Sequence, residues 1–105
     1  MKAIASLDYD IEFDEGKVTV KRMSIKDLDM AKRMAVRLET DNGYDPDTAT
    51  TIAYILHGVE SAFFPLTEQG VYDIPTVYAE LIAERIGEVN DPLAYRNPKV
   101  SAEGD

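Results

Sequence analysis

The chain contains 105 residues, 45% of them hydrophobic, with a formal net charge of −9, and this length and apolar content suit one domain built on one modest core. The negative charge opposes direct binding to nucleic acid, because phosphates require Lys and Arg neighbours. No stretch approaches the roughly 18 apolar residues of a membrane span, and no basic segment leads into an apolar run at the N-terminus, so we expect a cytoplasmic protein that does not bind membranes.

The charges are distributed unevenly along the chain. Residues 1–38 carry eight Lys and Arg against seven Asp and Glu, which gives a net charge of +1. Residues 39–92 carry a single basic residue, Arg85, against eleven acidic ones, which gives −10, and the last thirteen residues balance. Since six of the basic residues fall within residues 21–37, the pattern predicts one basic helix in an otherwise acidic domain.

A β-hairpin is predicted at the start of the fold. Apolar and polar residues alternate from Ala5 to Asp14, which is typical of a half-buried strand. A second alternating run includes Val18 and Val20, and Glu15-Gly16 is expected to form the turn between the runs.

The register of this hairpin is predicted from its two faces. A two-residue loop places Phe13 opposite Val18 and Ile11 opposite Val20, and it also aligns two Asp–Lys pairs on the polar face. The first strand is longer than the second, so its N-terminal part has no partner in the hairpin. We expect a helix or another chain to cover that edge.

A helix is predicted to follow the hairpin. Ser24 and Asp27 form a capping box that opens it, and it runs to about Thr40. Gly43 ends it in a left-handed conformation, and Pro46 lies in the first turn of the next helix. The predicted apolar stripe consists of Leu28, Ala31, Ala35 and Leu38, flanked by Met34.

Two further helices are predicted after Gly43. The second helix is expected to end near Phe64, before Pro65, and the third begins after a linker over residues 65–72 and the segment Asp73-Ile74-Pro75. The apolar face of the second helix consists of Ala49, Ile52, Ala53, Leu56, Val59 and Phe63. That of the third consists of Val77, Tyr78, Leu81, Ile82, Ile86 and Val89.

These elements predict an α+β fold in which an N-terminal antiparallel β-hairpin is followed by about three α-helices packed on it. Residues 1–92 are expected to form this single domain. Residues 93–105 contain little apolar surface, and we expect a loosely ordered C-terminal tail there.

The chain lacks the residue combinations that catalysis or a metal cofactor requires. It has no cysteine and one histidine, His57, which shares a helical face with Glu60, whereas catalytic metal sites normally use three protein ligands. The segment from Asp41 to Asp47 is acidic like a calcium loop, but its register places apolar residues at the first and last ligand positions. A helix end followed by a helix start accounts for it. We therefore expect no enzymatic activity, no cofactor and no metal.

Three groups of charged residues are the candidates for binding a protein partner. They are the strand carboxylates Asp8, Asp10 and Glu12, the cations Arg33 and Arg37 of the first helix, and the glutamates Glu80, Glu84 and Glu88 of the third. A solvated surface is the alternative interpretation for both acidic groups. Opposite charges on different helices also favour head-to-tail stacking of copies, so we expect a homo-oligomer.

The junction between the hairpin and the first helix carries a family resemblance. A short hairpin, the segment Val20-Lys21-Arg22-Met23-Ser24-Ile25-Lys26-Asp27-Leu28-Asp29-Met30-Ala31 and a compact helical half together resemble the tail assembly chaperones of long-tailed bacteriophages. The resemblance covers about residues 10–90. It implies a non-enzymatic cytoplasmic protein that coats the tape measure protein during tail assembly, self-associates and is absent from the finished virion.

A second hypothesis belongs to a different functional class. The carboxylates of Asp8, Asp10, Glu12 and Asp14 repeat at about 6.5 Å along one strand face, and such a row can mimic a phosphate backbone. The chain would then be a small acidic inhibitor that blocks a host DNA- or RNA-binding enzyme.

Overall fold

The structure is a computed structural model that describes residues 8–92. The predicted tail and the first residues of the predicted strand lie outside this part of the chain. The element order is β1 (Asp10–Phe13), β2 (Gly16–Val20), α1 (Ile25–Asn42), α2 (Pro46–Gly58), β3 (Val59–Ser61), α3 (Glu68–Tyr72) and α4 (Thr76–Val89). The strands form one antiparallel sheet with β2 between β1 and β3, and α4 packs on β2, so the predicted α+β fold is confirmed.

The predicted hairpin exists, but its predicted register is wrong by two residues. Ile11 lies opposite Val18 and Phe13 lies opposite Gly16, with Asp14 and Glu15 as the two-residue loop. Because side chains alternate with a period of two, the shift leaves every residue on its predicted face. Val18 and Val20 are therefore buried as expected, although their partners differ.

Helix α1 begins and ends as predicted. Ser24 accepts a hydrogen bond from the backbone N–H of Asp27, and the Asp27 carboxylate accepts one from the backbone N–H of Ser24. The backbone hydrogen bond from Ser24 is the largest cause that lowers the pKa of Asp27 below its ordinary value. Gly43 ends α1 with φ 77°, a left-handed conformation that glycine adopts without a steric penalty.

Helix α2 starts as predicted and ends earlier than predicted. Asp45 caps its N-terminus by accepting hydrogen bonds from Asp47 and Thr48, and Pro46 is its first residue. The caps confirm that this acidic segment joins two helices. The helix stops at Gly58, and the next three residues form β3 beside β2, so the predicted helical continuation to Phe64 is wrong.

The short helix α3 falls within the predicted linker, where Thr67 caps it by accepting from the backbone N–H of Gly70. Helix α4 begins at Thr76, directly after the Pro75 that predicted its start. Its buried residues are Ile82, Ile86 and Val89, a stripe at helical spacing. The prediction that Val77 and Leu81 point inward is wrong, because both lie on the exposed side of α4.

The core lies between the sheet and the helices. Its largest fully buried side chains are Val18, Val20, Leu38, Ile55, Ile82 and Val89. Each such aliphatic side chain contributes about 1.5–3 kcal/mol by leaving water. None of the helices in residues 8–92 has the length and apolar content needed to cross a bilayer.

Candidate functional site

An apolar groove lies where α1, α2 and α4 come together. Leu28 of α1 and the preceding Met23 line one side, Tyr54 lies on α2, and Ile86 and Gly87 belong to α4. The cavity has a volume of about 410 Å³. Grooves of this kind between helices are common docking sites for apolar ligands and for helical segments of partners.

A second cleft lies along the boundary between α2 and α4, which we call the seam, toward the start of α4. It has a volume of about 280 Å³ and lies between Asp47 and Ile52 of α2, Val71 of α3 and Glu80 of α4. Thr51 lines both cavities, so they succeed one another along α2. The seam is apolar at its base and carries acidic groups at the rim.

Asn90 closes the C-terminal end of the apolar groove. Its side-chain oxygen accepts a hydrogen bond of 2.7 Å from the backbone N–H of Met23. Its amide nitrogen donates to the backbone oxygens of Ile86 and Lys21 at 2.8 and 3.3 Å. This one side chain therefore ties the end of α4 to the chain that enters α1, and it holds two walls of the groove together.

An aromatic cluster anchors the hairpin to α4 on another side of the molecule. The ring centroids of Phe13 and Tyr78 lie 4.3 Å apart, and those of Phe13 and Phe63 lie 5.8 Å apart. The Tyr78 hydroxyl donates a hydrogen bond of 2.6 Å to the Glu15 carboxylate, and this bond raises the pKa of Tyr78 above its ordinary value. The hairpin turn is thus held on α4 by stacking and by one strong hydrogen bond.

The strand carboxylates predicted as a partner-binding row are partly engaged within the chain. Asp8 lies 3.7 Å from the Arg85 guanidinium, and Asp10 lies 3.7 Å from the Lys17 ammonium. Asp10 also accepts a hydrogen bond from the Thr19 hydroxyl at 2.7 Å. Glu12 is exposed. The row is therefore partly neutralised rather than uniformly anionic.

Arg85, the only Lys or Arg between residues 39 and 92, lies against the free edge of β1. The Tyr9 carbonyl accepts from Val20 in β2, so the alternating carbonyls of Asp8 and Asp10 point away from β2. Arg85 donates to both of these oxygens at 2.9 Å. The backbone of the edge strand is thus covered by a guanidinium at the place where a further strand would pair.

The three predicted glutamates of α4 lie on its exposed side. Glu88 accepts from Arg85 at 3.1 Å, whereas Glu80 and Glu84 form no ion pair within the part of the chain that the structure describes. Val77 and Leu81 are exposed on the same side. This face of α4 therefore combines acidic and apolar groups.

The predicted cations of α1 are also exposed. Arg33 pairs with Asp29 one turn away at 2.9 Å, and Arg37 pairs with Glu68 of α3 at 3.1 Å. Exposed pairs of this kind contribute about 0–1 kcal/mol, so these guanidinium groups remain accessible to an external anion. Arg33 and Arg37 pair with Asp29 and Glu68 and not with the candidate carboxylates, whereas Asp8 and Glu88 both contact Arg85.

His57 and Glu60 are the pair that the sequence offers for a metal ion. Within residues 8–92, no three His, Asp or Glu side chains are placed to hold a metal ion. Glu60 is exposed on β3, because the chain leaves the helical path after Gly58. His57 and Glu60 therefore do not share the helical face that the sequence suggested.

In comparisons with known proteins, no family model, curated protein or solved structure matches this chain. The resemblance to phage tail assembly chaperones thus stays a prediction from the sequence.

Proposed function

We propose that the protein is a non-enzymatic assembly factor that self-associates and docks a helical segment of a partner protein into the seam between α2 and α4. By its sequence resemblance it acts as a tail assembly chaperone of a long-tailed bacteriophage, in the host cytoplasm, with the tape measure protein as the helical partner. The apolar groove bounded by Met23, Leu28 and Ile86 is the observation that carries this proposal.

The shape and lining of the seam support a helical occupant. An amphipathic helix inserts apolar side chains at intervals of three and four residues, and it needs an elongated apolar groove to receive them. The cavity beside Tyr54 and the cleft beside Val71 succeed one another along α2, which has 13 residues. At 1.5 Å per residue, such a groove accommodates about three turns of a partner helix.

The rim of the seam supports a partner with basic flanks. Asp47 lies on the α2 side of the second cleft and Glu80 on its α4 side. Carboxylates at a rim steer cationic partners and exclude anionic ones. The preferred segment therefore has an apolar stripe flanked by Lys or Arg.

Gly87 offers a direct test of this docking mode. A Cβ atom at Gly87 meets no atom within 4 Å, so a side chain there projects into open space at the groove without disturbing the core. We expect Gly87→Arg to reduce co-purification with a tagged helical tail protein by about tenfold or more, because the side chain blocks the groove and repels basic flanks. Pull-down from co-expressing cells and titration with a synthetic Leu/Lys amphipathic helix measure this.

Gly87→Ala is the matched control. It also replaces the helical glycine but adds only a methyl group. We therefore expect its partner binding to stay near that of the unchanged protein. Equal binding by both variants, or no binding of any helical tail protein by the unchanged chain, would contradict the docking mode.

The alternative function, an acidic inhibitor that mimics nucleic acid, has weaker support. The mimicry requires a continuous anionic row on β1, but Asp8 and Asp10 already face Arg85 and Lys17. Glu12 is exposed without such a partner in the described part of the chain, and Asp14 lies in the hairpin loop rather than in β1.

A further inference from the structure

We infer that copies of this chain associate head to tail, with the outer face of α1 in one copy seated on the outer face of α4 in the next. This inference rests on the self-association in the proposed function and names the two surfaces that produce it.

The outer face of α1 combines apolar and basic side chains. Ile25 is 89% exposed and Val36 is 60% exposed, so both aliphatic side chains are available for contact with another molecule. At 100° per residue, Val36, Arg33 and Lys26 project on the side opposite the buried Ala31, Ala35 and Leu38. The surface therefore combines exposed apolar groups with cations, of which Arg33 pairs with Asp29 and Arg37 with Glu68 through exposed ion pairs.

The outer face of α4 has the complementary composition. Val77 is 57% exposed and Leu81 is 43% exposed, and Glu80, Glu84 and Glu88 surround them. At 100° per residue, Val77, Glu84 and Glu88 project on the side opposite Ile82, Ile86 and Val89. Glu80 and Leu81 lie at the two borders of this face, and Glu80 also lines the second cleft. The surface is apolar like that of α1 but carries the opposite charge.

Charge decides which pairs of faces associate. Two copies of the α1 face repel each other, as do two copies of the α4 face, so a symmetric contact of either face with itself is disfavoured. A contact between the α1 and α4 faces buries apolar groups from both sides and brings opposite charges together. Such a head-to-tail contact leaves one unused face on each copy. Repeated contacts therefore produce a short stack, or a ring when the two end faces meet.

The sheet edge is a weaker candidate for self-association. The outward carbonyls of Asp8 and Asp10 already accept hydrogen bonds from Arg85, so a strand from another copy would have to displace the guanidinium. On the helix faces, Glu80 and Glu84 form no ion pair within residues 8–92, and the pairs that Arg33 and Arg37 make are exposed.

A charge exchange between two variants tests the assignment of faces. Arg33→Glu with Arg37→Glu makes the α1 face acidic, and Glu80→Lys with Glu84→Lys makes the α4 face basic. We expect each double variant to self-associate at least about tenfold more weakly than the unchanged chain in sedimentation velocity at low salt. An equimolar mixture of the two regains association, because each variant's altered face now complements the other's.

Asp14→Lys with Asp73→Lys is the matched control. It changes the net charge by the same amount as the α4 variant but alters exposed positions outside both faces, so it associates like the unchanged chain. Circular dichroism checks that each variant is folded. Self-association of a folded double variant at full strength, or a mixture as monomeric as its components, would overturn the inference.

Failure here is distinguishable from failure of partner docking. Arg33 and Arg37 do not line the groove. If the variant with both residues changed to Glu is monomeric but still binds the helical tail protein, the docking mode remains intact. A self-associating chain that binds no helical tail protein leaves the head-to-tail faces intact and removes the chaperone function.

Discussion

Arg85 shows how one side chain can hold two elements together. Its guanidinium binds two backbone oxygens at the start of β1, ion-pairs with Asp8 and also bonds Glu88 on its own helix. The side chain is 27% exposed, so these bonds are partly protected from water. Nη1 serves both backbone oxygens and Asp8, while Nε bonds Glu88, and a single ammonium group has no second nitrogen held in this fixed geometry.

We expect Arg85→Lys to lower the free energy of unfolding by about 1–3 kcal/mol, because one ammonium group cannot replace both the Nη1 bonds to the two carbonyls and the Nε bond to Glu88. Urea denaturation measures the loss. Arg33→Lys is the control, since within residues 8–92 the bond of Arg33 is to the exposed Asp29 on its own helix, and its effect stays below about 0.5 kcal/mol. Equal effects of the two substitutions would show that Arg85 does not anchor β1.

Local residue signals were predictable from the sequence, whereas distant partners were not. Ser24, Gly43 and Pro46 act within one helical turn of their own positions, so their types define the helix ends. The backbone partners of Arg85 lie 75 and 77 positions away along the chain. The sequence identifies Arg85 as the single cation of an acidic stretch but contains no local pattern that indicates what it binds.

At the scale of elements, the hairpin register shows what a face pattern leaves undecided. Shifts of two residues preserve the faces, so alternation cannot choose between pairing Phe13 with Val18 and pairing it with Gly16. The tertiary context favours Gly16, whose lack of a side chain lets Phe63 pack directly over the strand end. The prediction that α2 continues to Phe64 failed for a related reason. The buried strand residue Val59 also matches the apolar face of a helix.

We expect Gly16→Ala to destabilise the fold by about 1–3 kcal/mol through overpacking. A Cβ atom at Gly16 would lie 2.7 Å from the Cβ of Phe63, and φ is 157°, which residues with side chains rarely adopt. Thermal and urea unfolding measure the effect. Gly87→Ala is the opposite control, because the added methyl group meets open space and should raise stability by up to about 1 kcal/mol. A neutral Gly16→Ala would contradict the observed packing of Phe63 on the hairpin.

At the scale of the whole molecule, the fold leaves three surfaces without partners in the described chain: the α2–α4 seam, the basic face of α1 and the acidic face of α4. The charge difference between α1 and the following helices was predictable, because it depends only on composition along the chain. The groove was not, because it arises where Leu28, Tyr54 and Gly87 from three helices fail to fill the space between them. The exposed Val77 and Leu81 likewise required the structure, since the sequence pattern assigns them to the core.

Self-association through opposite charges is the central claim, and sedimentation equilibrium of the unchanged protein at two salt concentrations tests it most directly. At about 0.01 M salt the screening length is about 30 Å, and at about 1 M it is about 3 Å. At roughly tens of micromolar protein, we expect the measured mass at low salt to be a multiple of the 11.7 kDa chain mass. At high salt we expect the measured mass to fall toward 11.7 kDa. A mass of 11.7 kDa under both conditions, or an oligomer indifferent to salt, would contradict the account.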